Sequence, residues 1–262
     1  MKTYRHISLL LVFHCLLIFP ARSLSQEVDT VAFNDLLTTA RWLTDYEAVC
    51  WSANETDQRF SEKPFIRLGQ GGFCRPEGTG KWHVYYTEQN AVSISSHWIV
   101  TTEKVEKMDL SASDSSLLYV LKALEDVSFQ LKDVADSMNI HFDQFVKIRE
   151  DGNLDIFVFP SFQPSGQGIY GAEWRFHYSA EGNKLPGTYS YIKELKGVWI
   201  GQPRELWLDY TSVDSPTLGA VYFAWYYKDF FTRIHINCRL TKSTLEKDAA
   251  GRYHWSHKLK NG

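Results

Sequence analysis

The sequence predicts an α+β fold: a mainly antiparallel β-sheet packed against a long helix, with a second helix near the N-terminus. Three observations carry that expectation. A stretch of apolar residues repeats at helical spacing over 113–139. Several segments alternate apolar and polar residues and are joined by turn-forming residues. Helices and hairpins are segregated along the chain instead of alternating, which is the pattern of α+β and not of a doubly wound α/β sheet.

Residues 1–25 have the form of a cleaved signal peptide. Lys2 and Arg5 precede an apolar run from Ile7 to Phe19, and Ser23-Leu24-Ser25 supplies small residues at the positions a signal peptidase reads. The run covers about 13 residues, against roughly 20 for a membrane-crossing helix, and Pro20 and Arg22 close it. Cys15 lies inside the run without the flanking pattern of a lipidation site. The expected mature chain is a single exported domain over 26–262, secreted or periplasmic, with no transmembrane span. Removing Lys2, Arg5 and Arg22, and no acidic residue, takes the formal charge from -3 to -6. An acidic chain without a basic block does not suit nucleic acid or an anionic membrane as partner.

The first mature element is a helix over 29–46, capped by Asp29 or Thr30, with Val31, Leu36, Leu37, Ala40 and Leu43 on its apolar side. Residues 47–80 read as irregular, with a glycine turn at 69–72. Export permits disulfides, and Cys50 and Cys74 bracket this segment, so a bond between them would restrain the unfolded loop by about 3 kcal/mol. Cys238, in an apolar alternating run, is expected as a buried thiol. Asn54-Glu55-Thr56 is a glycosylation sequon, meaningful in a eukaryote, and this reading puts Asn54 in a surface loop.

Strands follow at 81–88 and 92–101. The helix at 113–139 places Leu117, Leu121, Leu124, Val127, Leu131, Val134 and Met138 on one stripe, with Ser111 and Asp114 as a capping box. A hairpin is predicted from 145–149 and 154–159 around Asp151-Gly152. Strands at 170–179 and 205–210 come next. The aromatic run 221–238 reads as two strands with a turn at Lys228-Asp229, and the chain beyond Thr241 as a polar tail. The expected core includes Leu121, Leu124, Leu131, Phe157, Trp174, Phe176, Phe223 and Trp225.

The sequence contains no GxSxG elbow, HExxH motif, P-loop or dinucleotide glycine fingerprint. Neither a cofactor nor a metal is implied: the cysteines form no CxxC-type pair, and His254 and His257 sit in the segment read as a tail. The paired carboxylates Asp209 and Asp214 are a spacing that recurs by chance. The remaining candidates are Glu173, Arg175 and His177, which alternate with Trp174, Phe176 and Tyr178 and therefore share one strand face. They could serve as acid–base pair and anion clamp, or be the solvated side of a strand whose aromatic residues face the core. His83, His97 and His235 also fall on predicted strands and could join them. Two functions follow as expectations. One is a non-catalytic binding or envelope-associated role, with a glycan or another extracellular protein as partner. The other is an extracytoplasmic hydrolase acting on glycan or ester substrates through Glu173 and His177, with Arg175 fixing an anionic group.

Overall fold

The computed structural model describes residues 29–60, 72–87, 93–109, 115–163, 166–201 and 203–260. The signal segment, the glycine turn at 69–71, the connection at 88–92 and the capping box Ser111/Asp114 lie outside the described residues.

The chain is α+β, with three α-helices and three four-stranded sheets among the described residues. The helices are α1 (Thr30–Phe60), α2 (Ser115–Met138) and α3 (Leu218–Tyr226). Sheet A contains β1 (Gly72–Pro76), β2 (Lys81–Thr87), β3 (Ile94–Thr101) and β4 (Val105–Met108) in that order, all antiparallel. Sheet B is likewise an antiparallel meander of β5 (Phe142–Ile148), β6 (Leu154–Pro160), β7 (Gln167–Tyr178) and β8 (Tyr189–Trp199). Sheet C has the order β12-β11-β10-β9, from β9 (Glu205–Tyr210), β10 (Arg233–Cys238), β11 (Thr241–Lys247) and β12 (Tyr253–Leu259).

Sheet B is the centre of the molecule because β5, β6 and β7 carry buried apolar residues toward both faces. Val146, Ile156, Val158, Trp174 and Phe176 pack under α2, which contributes Leu117, Val120, Leu121, Val127 and Leu131. On the opposite face Phe145, Phe157 and Phe159 meet Leu43, Tyr46, Cys50 and Ala53 of α1, together with Val84 and Trp98 of sheet A. A third cluster joins the first turns of α1 and the helix α3 to Leu206, Leu208, Ile234 and Ile236 of sheet C. The amphipathic stripe of α2 thus lies where the spacing put it, with Leu121 and Leu131 buried and Leu124 partly so. Phe157, Trp174, Phe176 and Phe223 are buried as well, and Trp225 is partly buried.

β5 and β6 are joined at Asp151-Gly152. Gly152 has φ +81°, a left-handed conformation that a Cβ would strain, and the turn closes with Arg149 N–H donating to Asn153 O at 2.8 Å. Sheets A and B meet at β1 and β5. Here the Tyr46 hydroxyl of α1 accepts the Cys74 N–H of β1 at 2.7 Å and hydrogen-bonds the main chain of Val146 in β5. Burial holds its phenol well above the ordinary tyrosine range. The Cys50–Cys74 disulfide ties α1 to β1 beside that contact, and Cys238 is a free, buried thiol.

Five expectations need correction. The first helix does not stop at Tyr46: Leu43, Tyr46, Cys50 and Ala53 continue one buried stripe, so packing carries α1 to Phe60 through residues of modest helix propensity. Asn54 therefore lies on that helix with 6 % of its surface exposed, not in a surface loop. Two strands, β1 and β8, occupy segments that carry weak alternation, and β4 is a short edge strand. The first half of the 221–238 run is helix α3, since Thr217 caps it by accepting the Ala220 N–H. A continuous apolar run has no period to separate helix from strand, and α3 is buried on several sides, so its aromatic content misleads. That helix is the crossover between β9 and β10, which are consequently parallel. Finally, the polar segment after Thr241 is not a tail but the hairpin β11–β12, with His254 and His257 on opposite faces of β12.

Candidate functional site

A cleft of about 640 Å³ opens on the α1 face of sheet B. Strand alternation builds its floor. Lys147 on β5, Asp155 on β6, and Glu173, Arg175 and His177 on β7 project to the same side as Phe157. One wall comes from α1, through Asp35, Leu36 and Thr39; the other comes from the segment 213–218 that leads into α3. The face bearing Glu173, Arg175 and His177 is therefore a concave surface. Trp174, Phe176 and Tyr178 on the other side are core, as their alternation requires.

Asp155 organises the open end of the floor. It is 3 % exposed, and each of its oxygens has a partner. His177 Nδ1 lies 2.6 Å from Oδ1, and Arg175 Nη2 donates to Oδ2 at 2.9 Å. An ionised carboxylate only accepts, so His177 carries its proton on Nδ1 and presents Nε2 away from Asp155. The Arg175 guanidinium lies 5.3 Å over the Phe157 ring, and its Nε is buried without an acceptor among the described residues. Lys147 stands opposite Asp155 in the β5–β6 register with its ammonium 5.7 Å over the Trp42 ring of α1.

Glu173 sits at the other end, and its surroundings differ. Its side chain accepts from the Thr217 hydroxyl at 2.9 Å and from the Gly219 N–H, and it is hydrogen-bonded by Tyr189. Gly219 N–H is one of the donors a helix leaves unpaired in its first turn, so Glu173 completes the N-terminus of α3 and pins it to β7. A side chain at 219 would overlap the carboxylate, which is why glycine fits there. Burial raises the Glu173 carboxyl to about 7, against the lowering effect of the Thr217, Gly219 and Tyr189 hydrogen bonds. Tyr189 is itself pushed up, first by burial and then by the Glu173 charge.

The structure thus brings Glu173, Arg175 and His177 into one cleft and leaves the other histidines elsewhere. His83 and His97 face each other on sheet A at 2.8 Å, with Glu77 2.6 Å from His83 Nε2. Burial, followed by the charge of His83, lowers the pKa of His97. His235 is on sheet C beside Thr244 and Trp207. Asp209 hydrogen-bonds Thr211, and Asp214 pairs with Arg239 at 2.6 Å, so they form no shared site. Among the described residues no group of three or more His, Cys, Asp or Glu side chains is placed to hold a metal ion. No described helix is long and apolar enough to cross a membrane.

Sequence reasoning missed Asp155, Lys147, Tyr189 and Thr217. Asp155 had a signal: it is the lone charge in Leu154–Pro160, and a carboxylate in so apolar a strand needs a cationic partner. Thr217 and Gly219 become legible only once 218–226 is known to be a helix. Comparison with known proteins found no matching family model and no similar curated protein.

Proposed function

We propose that this is an exported, non-catalytic binding protein and that the cleft on sheet B is its ligand site. The observation that carries the reading is the placement of Glu173. The most perturbed carboxyl in the cleft already accepts hydrogen bonds from the first turn of α3 and its cap, so it serves to hold the cleft wall in place. What remains facing the open volume is a small set of polar groups among apolar side chains, in a space within the roughly 300–1,000 Å³ common to small-molecule sites.

The rival reading is an extracytoplasmic hydrolase, and one observation favours it: the 2.6 Å contact between Asp155 and His177 is the orienting pair that a histidine base uses. Against it, Glu173 and His177 are four residues apart on one strand, about 13 Å along the backbone at the usual rise. Both readings are tested by one experiment. The mature protein is incubated with panels of glycans, esters and small organic acids, then followed by native mass spectrometry for retained ligand and by product analysis for turnover. Binding without turnover is expected. Turnover that is lost in Glu173→Gln or His177→Gln with the fold intact would establish the hydrolase instead.

A further inference from the structure

The charges on the cleft floor are not evenly satisfied. Both oxygens of Asp155 are occupied by Arg175 and His177, and the Glu173 carboxylate is covered by Thr217, Gly219 and Tyr189. On the cationic side, Arg175 lines the cleft with 43 % of its side chain exposed and spends only Nη2 on Asp155. The ammonium of Lys147 lies over the Trp42 ring, and the residue is exposed. The oxygens of Asp155 and Glu173 are thus occupied within the protein, while Arg175 and Lys147, which line the same cleft, keep donor capacity. Arg175 also has the planar fork that matches a carboxylate in two parallel hydrogen bonds. Facing these donors across the cleft are Leu36, Val213, Pro216 and Leu218, which offer an apolar surface of limited extent. Asp35 lies on the α1 wall and is exposed to water, so its charge is screened from the floor.

Resting on the binding reading above, we propose that the ligand is an amphipathic organic monoanion, with its carboxylate on Arg175 and Lys147 and its apolar body against Leu36, Val213, Pro216 and Leu218. The anion pairs with the exposed end of the Arg175 guanidinium, and the apolar body removes water from both walls. Each half of the ligand thus meets the half of the cleft that lacks a partner.

The test uses three matched probes with one ten-carbon chain: decanoate, decanol and decylamine. Each is titrated calorimetrically into the mature protein and into two variants. Lys147→Gln removes a surface charge that makes no ion pair among the described residues, and so leaves the core untouched. Ser215→Trp fills the cleft from an exposed position on its wall. Decanoate is expected to bind about tenfold more tightly than decanol, the scale of one charge-assisted hydrogen-bond pair. Lys147→Gln should weaken decanoate about fivefold while leaving decanol within about twofold, and added salt should weaken decanoate alone. Ser215→Trp should abolish binding of both. Decanol or decylamine binding as tightly as decanoate overturns the anion assignment and leaves the cleft as a ligand site. Decanoate binding that survives Ser215→Trp, or binding by none of the three probes, overturns the cleft reading itself.

Discussion

Replacing Glu173 by Gln should change the pH dependence of stability more than stability itself. Glutamine keeps an oxygen where Thr217 and Gly219 donate, but it cannot ionise. In the wild type the carboxyl is raised from 4.5 to about 7, chiefly by burial. Between those values the folded protein holds a proton that the unfolded chain has released. Protonated Glu173 therefore supports the fold fully below about pH 4.5, and that support is lost as pH rises through 7. The displacement corresponds to about 3 kcal/mol, and with 3 % of the residue exposed, solvent screening takes little from it. Urea unfolding at pH 5, 6, 7 and 8 measures the effect as the difference between the two proteins, in which the other titrating groups cancel. The wild type should fall relative to Glu173→Gln by about 2.5 kcal/mol across that range, with most of the fall below pH 7. Parallel curves would refute the buried, proton-holding state of Glu173, and so would a glutamine variant that weakens relative to wild type as pH rises.

Three further outcomes are expected. Tyr46→Phe leaves the Cys74 N–H buried without its acceptor and removes the Val146 contact, which should cost about 2–4 kcal/mol and lower Tm by roughly 5–15 °C; hydrogen exchange at those two amides should accelerate first. Substituting both Cys50 and Cys74 by Ser should cost about 3 kcal/mol for a bond of sequence separation 24. Peptide mapping of the unreduced protein should show that link, with Cys238 alkylated only after unfolding because burial pushes its thiol up to about 11. Gly219→Ala places a methyl group against the Glu173 carboxylate and should loosen α3 at a cost of about 1–3 kcal/mol, detected as early proteolysis near 211–218.

The parts of this fold that could be read from sequence are those where a period or a turn residue records the environment. The stripe from Leu117 to Leu131 repeats because one side of α2 meets sheet B, and Asp151-Gly152 marks a turn because only glycine adopts its φ without strain. The alternation of Glu173, Arg175 and His177 with Trp174, Phe176 and Tyr178 placed three of the cleft residues on one face. The remainder depends on burial from several directions, which erases periodicity. Helix α3 presents aromatic and small residues to α1, sheet B and sheet C together, so its sequence resembles a strand. The second half of α1 is held by the burial of Cys50 and Ala53 and by the Tyr46 hydroxyl, contacts with sheets A and B that the local sequence does not disclose. Lys147 and Asp155 belong to the cleft through the β5–β6 register, a relation between strands that inspection of either strand alone does not disclose.

The packing of Phe33 sets a condition on how the molecule is made. This residue, in the first turns of α1, lies 4.9 Å from the Trp255 ring and 4.2 Å from the His257 ring of β12. Farther along the same helix, Tyr46 and Cys50 meet β1 and β5. An early-synthesised helix is thus completed by the strand near the opposite end of the chain. Contacts of such long sequence separation cannot form until residues 253–259 are available, and they slow folding. During synthesis the Phe33 end of α1 therefore stays without its β12 partners after Tyr46 and Cys50, farther along the helix, can already meet sheets A and B.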